Sequence, residues 1–398
     1  MSPQIQLDSP QSPAERSPTL TGPIAWEIGC LMAAITCTLV GVYWDLAWHR
    51  SIGRDSFWTP AHVAIYLGAV FGGGAAAASI LLTTFARGPL AQGRRRVAAR
   101  IWGFRGPLGS FVCAWGGIAM LTSAPFDNWW HNAYGLDVKV VSPPHILLLL
   151  GIVAVEGGAL LAVLQVRANA PEPARAGLDW LVFYAGGIIL SNVMIPLLQY
   201  AGRPVLHSAQ PYAVLSAGVP LILLGIGTAS GRRWACTAVA AIYMLGGLAQ
   251  LWIFPLFPTD PKLGPVYNRV THFIPIDFPL LLVAPALALD ILRARRSTPR
   301  HRWLQAAIGG TAFLTVLVVV EWPFASFLML PAARNWFFGT HYFPYQFALP
   351  DPEWPFRFHP AENSLPEFWM GMALALCLAI LSVGTGMAIG GRLARLRR

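Results

Sequence analysis

Ten stretches of this sequence each run for about twenty residues with almost no charge, at roughly 24–44, 60–86, 104–124, 144–167, 178–200, 212–230, 233–257, 273–293, 303–330 and 366–390. An apolar run of that length matches the hydrocarbon thickness of a bilayer when helical. The pattern predicts an all-α protein, a polytopic integral membrane helical bundle of about ten transmembrane helices. Charged residues are 12% of the 398, about half the share usual in soluble domains, which excludes a soluble enzyme. Gly and Ala recur inside the blocks, as in FGGGAAAASI at 71–80, and small residues let membrane helices approach closely.

The net charge of +10 is not a nucleic-acid footprint, because the arginines sit in short loops between apolar blocks. They follow every second block: Arg87, Arg94, Arg95, Arg96 and Arg100, then Arg167 and Arg175, then Arg232 and Arg233, then Arg293, Arg295, Arg296, Arg300 and Arg302, and finally Arg392, Arg395, Arg397 and Arg398. By the positive-inside rule, this alternation predicts both termini in the cytoplasm of a cell whose cytoplasmic membrane holds the chain. Eight of the nine histidines then fall on the extracytoplasmic side, and only His301 is cytoplasmic. Residues 1–22, rich in Ser, Pro and Gln, read as a disordered tail. A four-helix region (23–170) and a six-helix region (171–398) follow. The five cysteines lie in apolar blocks without a CxxC pair, as small buried apolar residues do.

Two stretches carry the same ionisable pattern. WDLAWHRSIGRDSFWTPAH (44–62) spaces Asp45, His49, Asp55 and His62 by 4, 6 and 7 residues. FDNWWHNAYGLDVKVVSPPH (126–145) spaces Asp127, His131, Asp137 and His145 by 4, 6 and 8. An Asp and a His four apart share one helical face. Thr59-Pro60 and Pro143-Pro144 open the next helices, so a short loop between antiparallel helices returns His62 toward Asp45 and His49, and His145 toward Asp127 and His131. One carboxylate and two imidazoles make a first-row metal site, suited to copper, zinc, iron or nickel. Asp55 and Asp137 are placed to accept from imidazole N–H groups and orient them. The competing reading is an interfacial belt, with Trp44, Trp48, Trp58, Trp129 and Trp130 as its aromatics.

These motifs resemble the C subunit of the copper membrane monooxygenases, the family of particulate methane monooxygenase and ammonia monooxygenase. Asp-x3-His-x12-His at Asp45, His49 and His62 looks like one copper motif of that subunit, and the intervening WH, RD and TPAH are similar too. Asp127, His131 and His145 match its neighbouring Asn-x3-His-x13-His motif, with Asp127 where the family usually has Asn. The resemblance covers about residues 40–165. It implies copper as cofactor, dioxygen activation, and oxidation of ammonia or a small apolar substrate. It also implies other monooxygenase subunits as partners in a homo- or hetero-oligomer. No flavin, nicotinamide or haem motif is present, so an external electron donor is required.

The rest of the chain is less specific. The loops 254–279 and 339–360 hold Asp260, His272, Asp277, His341, Asp351, Glu353 and His359 among many Pro, Phe and Trp residues. They read either as a packed cap over the bundle or as a further metal site. Glu156 follows His145 by eleven residues, three turns along the same face, and is read as supporting that site. Glu321 is read as a proton relay or a hydrogen bond to a neighbouring helix. Two functions outside oxygenation remain open at this stage: a membrane copper-binding or copper-transfer protein, and a proton-coupled transporter.

Overall fold

Proline and small residues set where the helices of this computed structural model begin and how they pair. Residues 23–88, 92, 94, 95, 98–135, 142–295 and 301–395 are described. The chain forms α1 (Pro23–Ser51), α2 (Pro60–Phe85), α3 (Leu108–Tyr134), α4 (Pro143–Asn169) and α5 (Glu172–Leu198). It continues with α6 (Ala209–Ser230), α7 (Ala235–Ile253), α8 (Val283–Ala294), α9 (Arg302–Leu328) and α10 (Leu365–Arg395). A two-stranded hairpin, β1 (Ala99–Ile101) and β2 (Phe104–Gly106), joins α2 to α3.

Consecutive helices pack as close antiparallel pairs. A Cβ on Gly68 of α2 would stand 2.9 Å from Ala34 O of α1, and one on Gly116 of α3 would stand 2.7 Å from Gly151 O of α4. Both approaches are too short for a side chain, so glycine sets the spacing that brings the paired helix ends together. One continuous apolar cluster, from Ile28 through Val155, Leu223 and Phe313 to Val383, runs through both predicted regions.

Nine of the described helices are long and apolar enough to cross a membrane, one fewer than the ten predicted. The difference is the block at 273–293. Its first half is extended, and only the 12 residues of α8 are helical. Pro275 and Pro279 supply no N–H and disfavour helix before them, which an apolar count does not register. The extended half is not left unsatisfied. Ser51 Oγ accepts from Ile274 N at 2.7 Å, Gln250 Oε1 from Ile276 N at 2.8 Å, Tyr243 Oη from Leu280 N at 3.1 Å and Glu321 Oε1 from Leu281 N at 2.8 Å. Irregular backbone at this depth requires such partners. Farther on, Asp290 of α8 accepts from Thr237 N at 2.8 Å, at the start of α7. The whole passage therefore runs antiparallel to α7.

Eight histidines, four on helix ends and four in loops, lie at one end of the bundle. Backbone bonds tie the loops together there: Lys262 N to Ile52 O, Tyr345 N to Arg50 O and His359 N to Pro204 O, at 3.0, 3.2 and 2.8 Å. The opposite end holds His301 and arginines paired with acids. Arg94 meets Glu27 at 2.7 Å, Arg232 meets Asp179 at 2.6 Å, and Arg167 also binds Asp179.

Candidate metal centre

The first module is assembled by the turn between α1 and α2. Helix α1 continues beyond the predicted span to Ser51, carrying Asp45 and His49 on one face. Ile52 N and Gly53 N then both donate to Trp48 O, at 2.7 and 3.2 Å. Gly53 adopts φ 104°, and a Cβ there would also stand 2.5 Å from Tyr345 Oη. The loop closes reciprocally, with Ser56 N donating to Thr59 Oγ1 at 2.7 Å and Thr59 N donating to Ser56 O at 3.0 Å.

That closed loop orients the ligands. Ser56 O lies 2.9 Å from His62 Nδ1. A carbonyl only accepts, so Nδ1 carries the proton and Nε2 points into the module. His62 Nε2 is 2.8 Å from Asp55 Oδ2 and 3.2 Å from Asp45 Oδ1. His49 Nε2 is 3.4 Å from Asp55 Oδ2 and 3.8 Å from Asp45 Oδ2. Ligand atoms of Asp45, His49 and Asp55 all lie within 4.8 Å of one another. Burial opposes the Asp55 anion, but hydrogen bonds from His49 and His62 and their charges outweigh it and hold the carboxyl well below the usual range.

The second module repeats the plan more loosely. Helix α3 continues through Pro125 to Tyr134, carrying Asp127 and His131 past the predicted end of the span. His131 Nε2 is 3.3 Å from Asp127 Oδ2, and His145 Nε2 is 3.7 Å from Asp127 Oδ1. Gly135 O lies 3.3 Å from His131 Nδ1, again leaving Nε2 facing the carboxylate. Ser142 caps α4 and lies 2.9 Å from His145 Nδ1. Asp137 lies outside the described residues.

Tyr66, absent from the sequence reading, stands between the modules. Its ring is 6.2 Å from that of His62, its hydroxyl donates to Phe57 O at 3.2 Å, and the charges of Asp127, Asp55 and Asp45 all reach it. Its position four residues after His62, on the same helical face, is the signal that would have found it.

Asp55 Oδ2 meets both imidazoles at Nε2, 2.8 Å from His62 and 3.4 Å from His49, so it accepts from them on the side that faces the module. Glu156 does not support the second module. Eleven residues of helix put it about 16 Å from His145 along the axis, where it is 1% exposed and bonded by the Asn192 amide of α5.

The donor set of the first module fits a metal ion, whereas Asp127, His131 and His145 do not bring one ligand atom each within 4.8 Å of one another. Asp45 Oδ1 and Asp127 Oδ1 are buried and make no hydrogen bond among the described residues, though imidazole nitrogens face them. Carboxylate oxygens and imidazole Nε2 lone pairs set face to face need a cation between them, either the proton through which His49 and His62 bond Asp55 or a metal ion in its place. The ligand side chains are about one-fifth to one-half exposed, so an ion has a path in.

The cap contributes no comparable cluster. Among the described residues, the imidazoles within 4 Å of a carboxylate are His49, His62, His131 and His145. His207 is instead stacked between Trp322 and Phe358, at centroid distances of 4.2 and 3.6 Å. His359 stacks on Trp354 at 4.0 Å, and the His341 ring lies 3.9 Å from that of Tyr342 at a 38° tilt. Asp351 and Glu353 pair with Arg357 and Arg334. Glu321 holds the Leu281 N–H. Comparison of the chain with protein-family models, with curated proteins and with solved structures finds no match.

Proposed function

We propose that this chain is a copper-dependent membrane protein of the monooxygenase type, with Asp45, His49, Asp55 and His62 as its principal metal ligands and Asp127, His131 and His145 as a second set. One observation carries the reading: ligand atoms of Asp45, His49 and Asp55 lie within 4.8 Å of one another at a helix-pair end, with His62 Nε2 2.8 Å from Asp55 and 3.2 Å from Asp45, whose buried Oδ1 has no hydrogen bond among the described residues. Mixed nitrogen and oxygen donors suit copper, with zinc and iron behind it. Copper held there supplies one-electron redox chemistry with dioxygen, and the oxidised substrate is ammonia or a small apolar molecule.

The protein's own part is positioning. Ser56 O fixes the His62 tautomer, the Gly53 turn delivers Asp55, and the glycine-lined α1–α2 contact holds Asp45 opposite His62. Such supporting contacts tune affinity by about 10–100-fold. Trp58, 74% exposed beside the first module, offers an apolar approach from the bilayer interface. Electrons come from an external donor, and partner subunits of a monooxygenase complete the assembly.

Arginines gathered at the end opposite the modules support cytoplasmic termini in a bacterial cytoplasmic membrane, with the modules extracytoplasmic. A second reading, copper storage or transfer without turnover, is favoured by the 48% exposure of the His49 side chain, which suits hand-over to a partner. Oxygen uptake by the copper-loaded protein with its partners and a reductant separates the two. The oxygenase reading expects uptake that depends on added ammonia or short alkane and disappears in His62→Ala. Copper binding with no substrate-dependent uptake would leave only the transfer reading.

A further inference from the structure

A cavity of about 200 Å³ lies at the module end of the bundle, between the two halves of the chain. It opens on a different face of α1 from the metal ligands. Its walls are largely apolar, with Leu46, Leu198, Phe278 and Leu328 among them, and two guanidinium groups reach into it, Arg50 and Arg203. Neither is well paired. Arg50 gives one nitrogen to Asp277 at 3.3 Å, and Arg203 gives two to Thr340 O and Pro355 O at 3.4 and 3.3 Å. The Nε–H groups of both arginines are buried and have no acceptor among the described residues.

The charge is also unbalanced. Asp277 is the one acid in the lining, and its side chain is 54% exposed. Arg334 adds a third positive charge near Arg203, though it is itself bound by Glu353 through two contacts of 3.0 and 2.6 Å. Burial pushes the Arg203 guanidinium down, and the charges of Arg50 and Arg334 add to that against Asp277. A half-buried cation with unused donors in a mostly apolar pocket calls for an anion. The planar fork of arginine matches carboxylate and phosphate oxygens.

We propose that this cavity binds an oxyanion, a carboxylate or phosphate ester with an apolar portion, held by Arg50 and Arg203 with its apolar part against Leu46, Leu198 and Phe278. Asp277 competes with that anion for Arg50. The inference is independent of the metal reading, and its test uses metal-free protein.

Full-length protein, delipidated in an uncharged detergent, is titrated by native mass spectrometry with phosphatidylglycerol, hexanoate and inorganic phosphate separately. At least one probe binds the wild type. Its affinity falls by roughly tenfold or more in Arg203→Gln and rises in Asp277→Asn. A gain in affinity does not arise from misfolding, so the second variant guards the first. Binding of phosphatidylglycerol alone identifies a lipid headgroup as the source, and binding of hexanoate or phosphate identifies a free anion. The proposal stands only if the two variants move in opposite directions. No binding by any probe, or affinities that do not diverge, overturns it.

Discussion

The two halves of the molecule use the same polar residue types for opposite purposes. At the α1–α2 and α3–α4 turns, the nitrogens of His49, His62, His131 and His145 face the carboxylates of Asp45, Asp55 and Asp127. In the remainder, histidines such as His207 and His359 stack on aromatic rings, and several acids hold backbone N–H groups or arginines. His207 lies between Trp322 and Phe358, Glu321 receives the Leu281 N–H, and Glu362 receives the N–H groups of Ala209 and Gln210 that open α6. A costly polar group in a membrane protein is therefore not by itself a functional site. What it faces decides: another ligating atom, or an orphaned backbone group.

That contrast predicts separable losses. His62→Ala should lower copper affinity at the first module by about 100-fold or more, beyond the loss seen for supporting residues, while circular dichroism and thermal unfolding stay near wild type. His207→Ala should do the reverse, keeping copper but costing about 2 kcal/mol of stability through lost stacking and hydrogen bonding. A copper loss in both variants would erase the distinction.

Asp55→Asn sharpens the comparison within the first half. Because Asp55 touches both imidazoles, its loss should weaken copper at the first module by about 10–100-fold, read by copper titration in a His131→Ala background, and leave the second module unchanged, read in a His62→Ala background. Equal weakening of both modules would show that Asp55 acts through the fold. The smallest effect belongs to the second half. Tyr243→Phe strands the Leu280 N–H and should cost about 1–3 kcal/mol, measured by unfolding, with copper content unchanged.

The sequence made the modules legible because spacing alone carries them: four residues return to one helical face, and a proline start brings the next histidine back. It did not show that Asp55 meets the imidazoles at the same Nε2 atoms that face Asp45, since that depends on the positive φ of Gly53 and the reciprocal Ser56–Thr59 bonds. The helical bundle was legible from apolar length. The unwound passage before α8 was not, because its stability rests on Ser51, Gln250, Tyr243 and Glu321, side chains from three other helices. Arg50 and Arg203 likewise become neighbours only when the halves dock.

The central claim is that Asp45, His49, Asp55 and His62 hold one copper ion. Electron paramagnetic resonance on copper-loaded protein, wild type beside His62→Ala, tests it most directly, with total copper measured on the same samples. The account predicts a Cu(II) signal with nitrogen hyperfine structure from imidazole in the wild type, and loss of the first-module component in the variant with a matching fall in bound copper. An unchanged signal and unchanged copper in His62→Ala, or no copper retained by the wild type, would contradict it.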